Sequence, residues 1–136
     1  MAAYAGAFVI KNALVKFGGT DFSNQCTKAR LVPDTPEQTL RTLVPDGVVT
    51  DTDSTVWTLE LSGIQDWETG GLAAFLNTNA GTLQNVIVAP VAGTGKKQAT
   101  VSVRVKPVDF GGDQGAWSTF DVSLMVQGQP TFAAQP

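Results

Sequence analysis

Ala99-Thr100-Val101-Ser102-Val103-Arg104-Val105-Lys106 alternates apolar and polar side chains at every step. A period of two marks a strand with one face on a core, because successive strand side chains point to opposite sides of a sheet. Ala116 to Val126 repeats the period. There Ala116, Phe120, Val122, Leu124 and Val126 share one face, and Trp117, Thr119, Asp121, Ser123 and Met125 the other.

Working outward, Val56 to Ser62 places Trp57, Leu59 and Leu61 opposite Val56, Thr58, Glu60 and Ser62, a third amphipathic strand. Leu83 to Ala89 is apolar enough for a strand with one well-buried face, and Ala13 to Phe17, Cys26 to Val32 and Gln38 to Val44 are weaker candidates. One segment breaks the period: Leu72, Phe75 and Leu76 lie at i, i+3, i+4, with Thr69 as a possible N-cap and Gly81 as a stop. This predicts one short helix over about 70–79.

Turn residues divide the strands. Pro33-Asp34-Thr35-Pro36 separates two of them, and Pro45-Asp46-Gly47 opens a loop that runs through Thr50-Asp51-Thr52-Asp53-Ser54. Gly93-Thr94-Gly95-Lys96-Lys97 reads as the hairpin turn between Leu83–Ala89 and Ala99–Lys106, and Gly111 to Gly115 as a turn before the last strand. The expected fold is mainly β: a sandwich or barrel of about seven or eight strands with one short flanking α-helix, in a single domain spanning 1–136.

The chain of 136 residues has the size of one ordinary domain. Charged residues make up 15% of it, against about a quarter in a typical soluble protein. Hydrophobic residues are 43%, so the chain is neither a disordered polyelectrolyte nor apolar enough over any window for a membrane span. Net charge is −3 from 9 bases and 12 acids, which argues against a tight grip on nucleic acid. The start, Met1 to Lys11, has no basic region ahead of its short apolar run and is not expected to be a secretory signal.

Absent residue types remove chemistry. With no histidine and a single cysteine, Cys26, histidine triads and internal disulfides are excluded, and Cys26 reads as a small buried apolar residue of a reducing compartment. Gly93 to Lys97 is not a phosphate-binding loop, since Pro90 stands where that loop needs its first glycine and Lys97 where it needs Ser or Thr. Asp51 and Asp53 lack the glycine and distal glutamate of a calcium loop, and Asp109-Phe110-Gly111 has no kinase around it. Glu60, Asp66 and Glu68 are the only carboxylates near enough in sequence for an acid–base pair, and the acids at 66 and 68 also suit a helix N-terminus. No catalytic residue, cofactor or metal site is expected, and the chain is read as not an enzyme. Of the tryptophans, Trp57 and Trp67 are expected in the core on either side of the Ser62-Gly63 bend. Trp117 is the candidate to meet a neighbouring subunit.

Taken in order, four segments resemble the major tail tube proteins of long-tailed, siphovirus-type bacteriophages. They are Gly19-Thr20-Asp21-Phe22-Ser23 after an early strand, the block Trp57 to Trp67, the helix Gly71-Leu72-Ala73-Ala74-Phe75-Leu76, and the run Ala99 to Thr131 with its Gly111-Gly112-Asp113 turn. The resemblance implies a virion protein, made in the host cytoplasm and located in the tail. Its subunits would form hexameric rings that stack into a tube through which DNA leaves. Partners so implied are other copies of the chain, the tape measure, terminator and distal tail proteins, and DNA passing without specific binding; no membrane is involved. The long loop at about 33–55, with Asp46, Asp51 and Asp53, would reach the next ring, and the uncharged ends Met1–Phe8 and Gln129–Pro136 would make inter-subunit contacts.

Joining sheet edges around a ring would remove the hazard of open edges, and low charge suits a surface that becomes interface. A polar, net-acidic lumen lets phosphates slide, which makes Thr39, Thr42, Glu60, Asp121 and Ser123 candidate lining residues, with Arg41, Arg104 and Lys106 in similar positions. The alternative is a stand-alone β-sandwich binding module, either carbohydrate-binding or capsid-decorating, with an exposed aromatic platform.

Overall fold

The computed structural model describes residues 7–136. The expected contact segment Met1–Phe8 and the signal reading of Met1–Lys11 therefore lie largely outside the described residues. Nine strands follow one another as β1 (Leu14–Phe17), β2 (Thr20–Asp21), β3 (Cys26–Asp34), β4 (Glu37–Arg41), β5 (Val48–Thr52), β6 (Val56–Ile64), β7 (Leu83–Ala89), β8 (Lys97–Arg104) and β9 (Thr119–Ala134). A 3-10 turn at Ser23–Gln25 precedes β3, and one helix, α1 (Leu72–Thr78), follows β6. Seven strands form an antiparallel sheet in the order β2-β1-β7-β8-β9-β6-β3, while β4 and β5 pair only with each other.

The alternating strands place their apolar faces as expected. Val101 and Val103 of β8, with Val105 just beyond, join Leu59 and Leu61 of β6, Val86 and Val88 of β7, and Phe120, Leu124 and Val126 of β9 in one buried cluster. The sheet closes over this cluster because β9 changes partner along its length. Its first half pairs with β6 from Thr119↔Ile64 to Met125↔Thr58, and its second half with β8 from Val126↔Val103 to Ala134↔Lys97. The switch is made by an irregularity in which β9 outruns β8, with Thr100 opposite Thr131 but Ser102 opposite Gln127. Gly128 supplies a positive φ of 81° there, and Pro130 falls in the irregular stretch, where its missing N–H costs no ladder bond. The result is the expected mainly-β sandwich with one helix.

The helix covers one end of the core with Leu72, Ala73 and Leu76, while Phe75 packs on Phe17 and Phe22 with ring centroids 5.6 and 5.5 Å apart. It starts later than expected: the N-cap is Gly71, not Thr69. Trp57 and Trp67 are half-buried against the core's margins.

Two further expectations change. The stretch from Pro45 through Ser54 is not an irregular loop, since Val48–Thr52 is a strand paired residue for residue with β4. The last strand begins at Thr119, so Ala116 and Trp117 belong to the connection from β8.

Candidate functional site

The segment 33–55 is a β-arm. The β3–β6 ladder ends at Asp34↔Val56, and the Thr35 and Thr55 hydroxyls hydrogen-bond at 2.7 Å. The Asp53 N–H then donates to the Pro36 carbonyl, and the β4–β5 ladder begins at Glu37↔Thr52. The arm thus continues the β3–β6 ribbon beyond the sheet. Its tip is a turn with Pro45 at the second position, where the Gly47 N–H donates to the Val44 carbonyl and the Thr42 N–H to the Gly47 carbonyl. Every residue of β4 and β5 is exposed. Leu40, Leu43, Val44, Val48 and Val49 make the outer part apolar, with Leu43 fully exposed. An isolated two-stranded hairpin is marginal in water, and one with an uncovered apolar tip calls for a partner surface.

The five candidate lining residues separate into two groups. Glu60, Asp121 and Ser123 meet on the outward face of β6 and β9, where Glu60 lies opposite Ser123, Ser62 lies opposite Asp121, and the Ser62 hydroxyl donates to the Asp121 carboxylate. They border a shallow polar hollow of about 300 Å³. On the neighbouring β3, Lys28 Nζ lies 3.1 Å from Glu60 Oε1 and Arg30 Nε 3.7 Å from Glu60 Oε2. Glu60 is therefore paired rather than free. Thr39 and Thr42 belong to the arm, away from that face, as does Arg41. Arg104 donates to the Gly81 carbonyl at 3.0 Å at the end of β8.

Both outer strands of the large sheet are open. Among the described residues nothing pairs with the far side of β3, nine residues long, or of β2. An unpaired edge of that length is a template for another chain. Pro33 is tolerated within β3 because β3 is an edge strand. Beside the first half of β3, under β1 and the 3-10 turn, lies a groove of about 610 Å³ bordered by Lys11, Ser23, Cys26, Lys28, Arg30 and Pro90 among others. Burial, with Asp21 nearby, pushes the Cys26 thiol up to about 12, so it stays protonated at neutral pH. Hydrogen bonds from the Ser23 hydroxyl and N–H hold Asp21 below the ordinary carboxylate range, with Lys16 adding to the effect. Neither the groove nor its cations is legible in the sequence, because Lys11 lies far from Lys28 and Arg30 along the chain and only the fold brings them to one border.

Trp117 is 93% exposed in the connection between β8 and β9. Two side chains anchor that connection: Asn77 accepts from the Val108 N–H at 3.1 Å, and Gln65 holds the part around Gly111. The Gln65 amide donates to the Gly111 and Thr119 carbonyls and accepts from the Gly111 N–H and Trp67 Nε1. Phe110, exposed, tilts onto Trp67 at 4.8 Å. The other expected contact segment, Gln129–Pro136, is largely taken up within the subunit. Strand β9 reaches Ala134 on β8, and the buried Gln135 bonds to the Val91 carbonyl and the Gly93 N–H.

These features define a mainly-β sandwich that carries an uncovered arm and open sheet edges. Its fold is similar to that of a chain in a solved structure described as the virion of a native gene transfer agent particle. The TM-score is 0.69 and the identity 14%, over 94% of this chain and 100% of that one. At that identity the likeness is one of fold. No protein-family model matches the chain, and no curated protein matches it in sequence.

Proposed function

We propose that the chain is a structural virion protein, the repeating subunit of a phage-type tail tube. The observation that carries this reading is the arm: a two-stranded ribbon with an apolar end that the subunit itself leaves uncovered. Fold likeness to a chain of a virion particle points the same way. Copies close into hexameric rings through the open edges of their sheets, and rings stack through arms bearing Asp46, Asp51 and Asp53. The subunit is made in the host cytoplasm and ends in the tail, with tape measure, terminator and distal tail proteins as partners. It performs no catalysis.

The outward face bearing Glu60, Asp121 and Ser123 lines the lumen in this reading. It is polar, and the two cations beside it, Lys28 and Arg30, are matched by two acids, Glu60 and Asp121, so the face carries no net positive charge toward DNA. Electron microscopy of the purified protein tests the proposal: wild type forms rings or tubes. A variant in which 37–52 is replaced by a short glycine linker keeps the folded body and forms no tubes. A protein that stays monomeric at high concentration and binds glycans, with Trp117 and Phe110 as platform, is the binding module instead.

A further inference from the structure

We propose that the basic groove beside β3 is the receptor for the arm of another copy. This rests on the tube reading and names the surface that the arm meets. Charge carries the argument. Residues 37–53 hold four acids, Glu37, Asp46, Asp51 and Asp53, against one base, Arg41, which gives −3, equal to the formal charge of the whole chain. The remainder of the chain is therefore neutral in sum, and its cations are gathered unevenly.

Three of them, Lys11, Lys28 and Arg30, border the groove, and no carboxylate does. Glu60 faces Lys28 and Arg30 from β6 and offsets one of the two charges, leaving a surplus of two with Lys11, which has no ion pair among the described residues. Asp21, nearby but not on the groove's border, is held by hydrogen bonds from Ser23. The acidic arm and the basic groove are thus complementary in sign, which both steers encounter and sets register. The groove is also apolar in part, through Ile10, Ala13 and Pro90, which suits an arm tip that exposes Leu43 and Val44.

Position decides that the two surfaces meet between copies. The groove lies along Cys26–Arg30, the first half of β3, and the arm leaves from the other end of that strand, past Asp34. Because the arm carries on the line of the β3–β6 ribbon, held there by the Thr35–Thr55 and Asp53–Pro36 bonds, it points away from its own groove. Donor and acceptor at opposite ends of one strand make a head-to-tail contact, which propagates as a stack when the rotation between successive copies does not close a ring.

The test is a charge exchange between two exposed sites. D51K/D53K reverses the arm and K11E/R30E the groove, with circular dichroism confirming that both stay folded. Each variant alone should raise the protein concentration needed for tube formation at least about tenfold. An equal mixture of the two should restore tubes in which the variants alternate. If wild type forms tubes and either variant polymerises normally, or the mixture restores nothing, this pairing is wrong while the tube reading stands. If wild type forms neither rings nor tubes, the tube reading fails first.

Discussion

The side-chain oxygen of Gln25 accepts a hydrogen bond from the backbone N–H of Leu72 at 2.7 Å. Leu72 is the first residue of α1, whose N-cap, Gly71, has no side chain to offer. A side chain is also barred there, because a Cβ on Gly71 would run into the backbone of Asp66. The buried first turn of the helix is therefore capped from a residue 47 positions earlier, which ties the 3-10 turn to the helix.

Gln25→Ala should lower stability by about 1 kcal/mol, the usual worth of a helix cap. Gly71→Ala should cost more, about 1–3 kcal/mol, because the Asp66 backbone must move. Thermal melts of the two variants, together with the double variant, check the order. Equal and negligible shifts would show that neither the cap nor the close approach matters.

The Gln65 side-chain amide holds the β8–β9 connection around Gly111. Gln65→Leu should leave the sheet intact but release the segment around Gly111, so limited proteolysis should cut between Pro107 and Ser118 far faster than in wild type. An unchanged digestion pattern would mean that the Phe110–Trp67 contact, the Asn77–Val108 bond and the bond from the Gln65 backbone N–H to the Ser118 carbonyl suffice.

Cys26 sets an alkaline limit. Its ordinary value is 9.0 and the fold raises it to about 12, so the folded chain keeps a proton that the unfolded chain loses. Stability from this group is complete below pH 9 and declines as pH rises from 9 towards 12. Denaturant titrations should show that decline in wild type and a flatter profile in Cys26→Ala. At neutral pH the thiol should react with disulfide reagents much more slowly in folded than in unfolded protein.

Asp121→Lys tests the proposed lumen. Tubes should still form, because the residue is exposed on the outward face, and DNA release through them should slow as phosphates find fixed cations. Release at the wild-type rate would remove this face from the lumen.

Val101, Val103 and Val105 were legible as a core-facing strand because alternation is a local property, set by backbone geometry and readable in eight residues. The same holds for Leu59 and Leu61, and for Leu72, Phe75 and Leu76 at helical spacing. Val48–Thr52 was not, because Thr50, Asp51 and Thr52 bury nothing and are a strand only through β4. Nor was the outer half of β9, where Gly128 and Pro130 interrupt the period at the point where the strand changes partners. Thr69 had the right chemistry for a cap, but the capping oxygen came from Gln25.

By itself, then, the sequence determined the fold class, the helix and the apolar face of most strands, since each depends on the spacing of neighbours along the chain. Only the tertiary structure decided that 33–55 leaves the sheet as a ribbon and that Thr39 and Thr42 part company with Glu60, Asp121 and Ser123. It alone gathered Lys11, Lys28 and Arg30 around one groove. Those relations depend on which strands pair and where a ladder ends, and pairing joins residues too far apart in the chain for any local pattern to record.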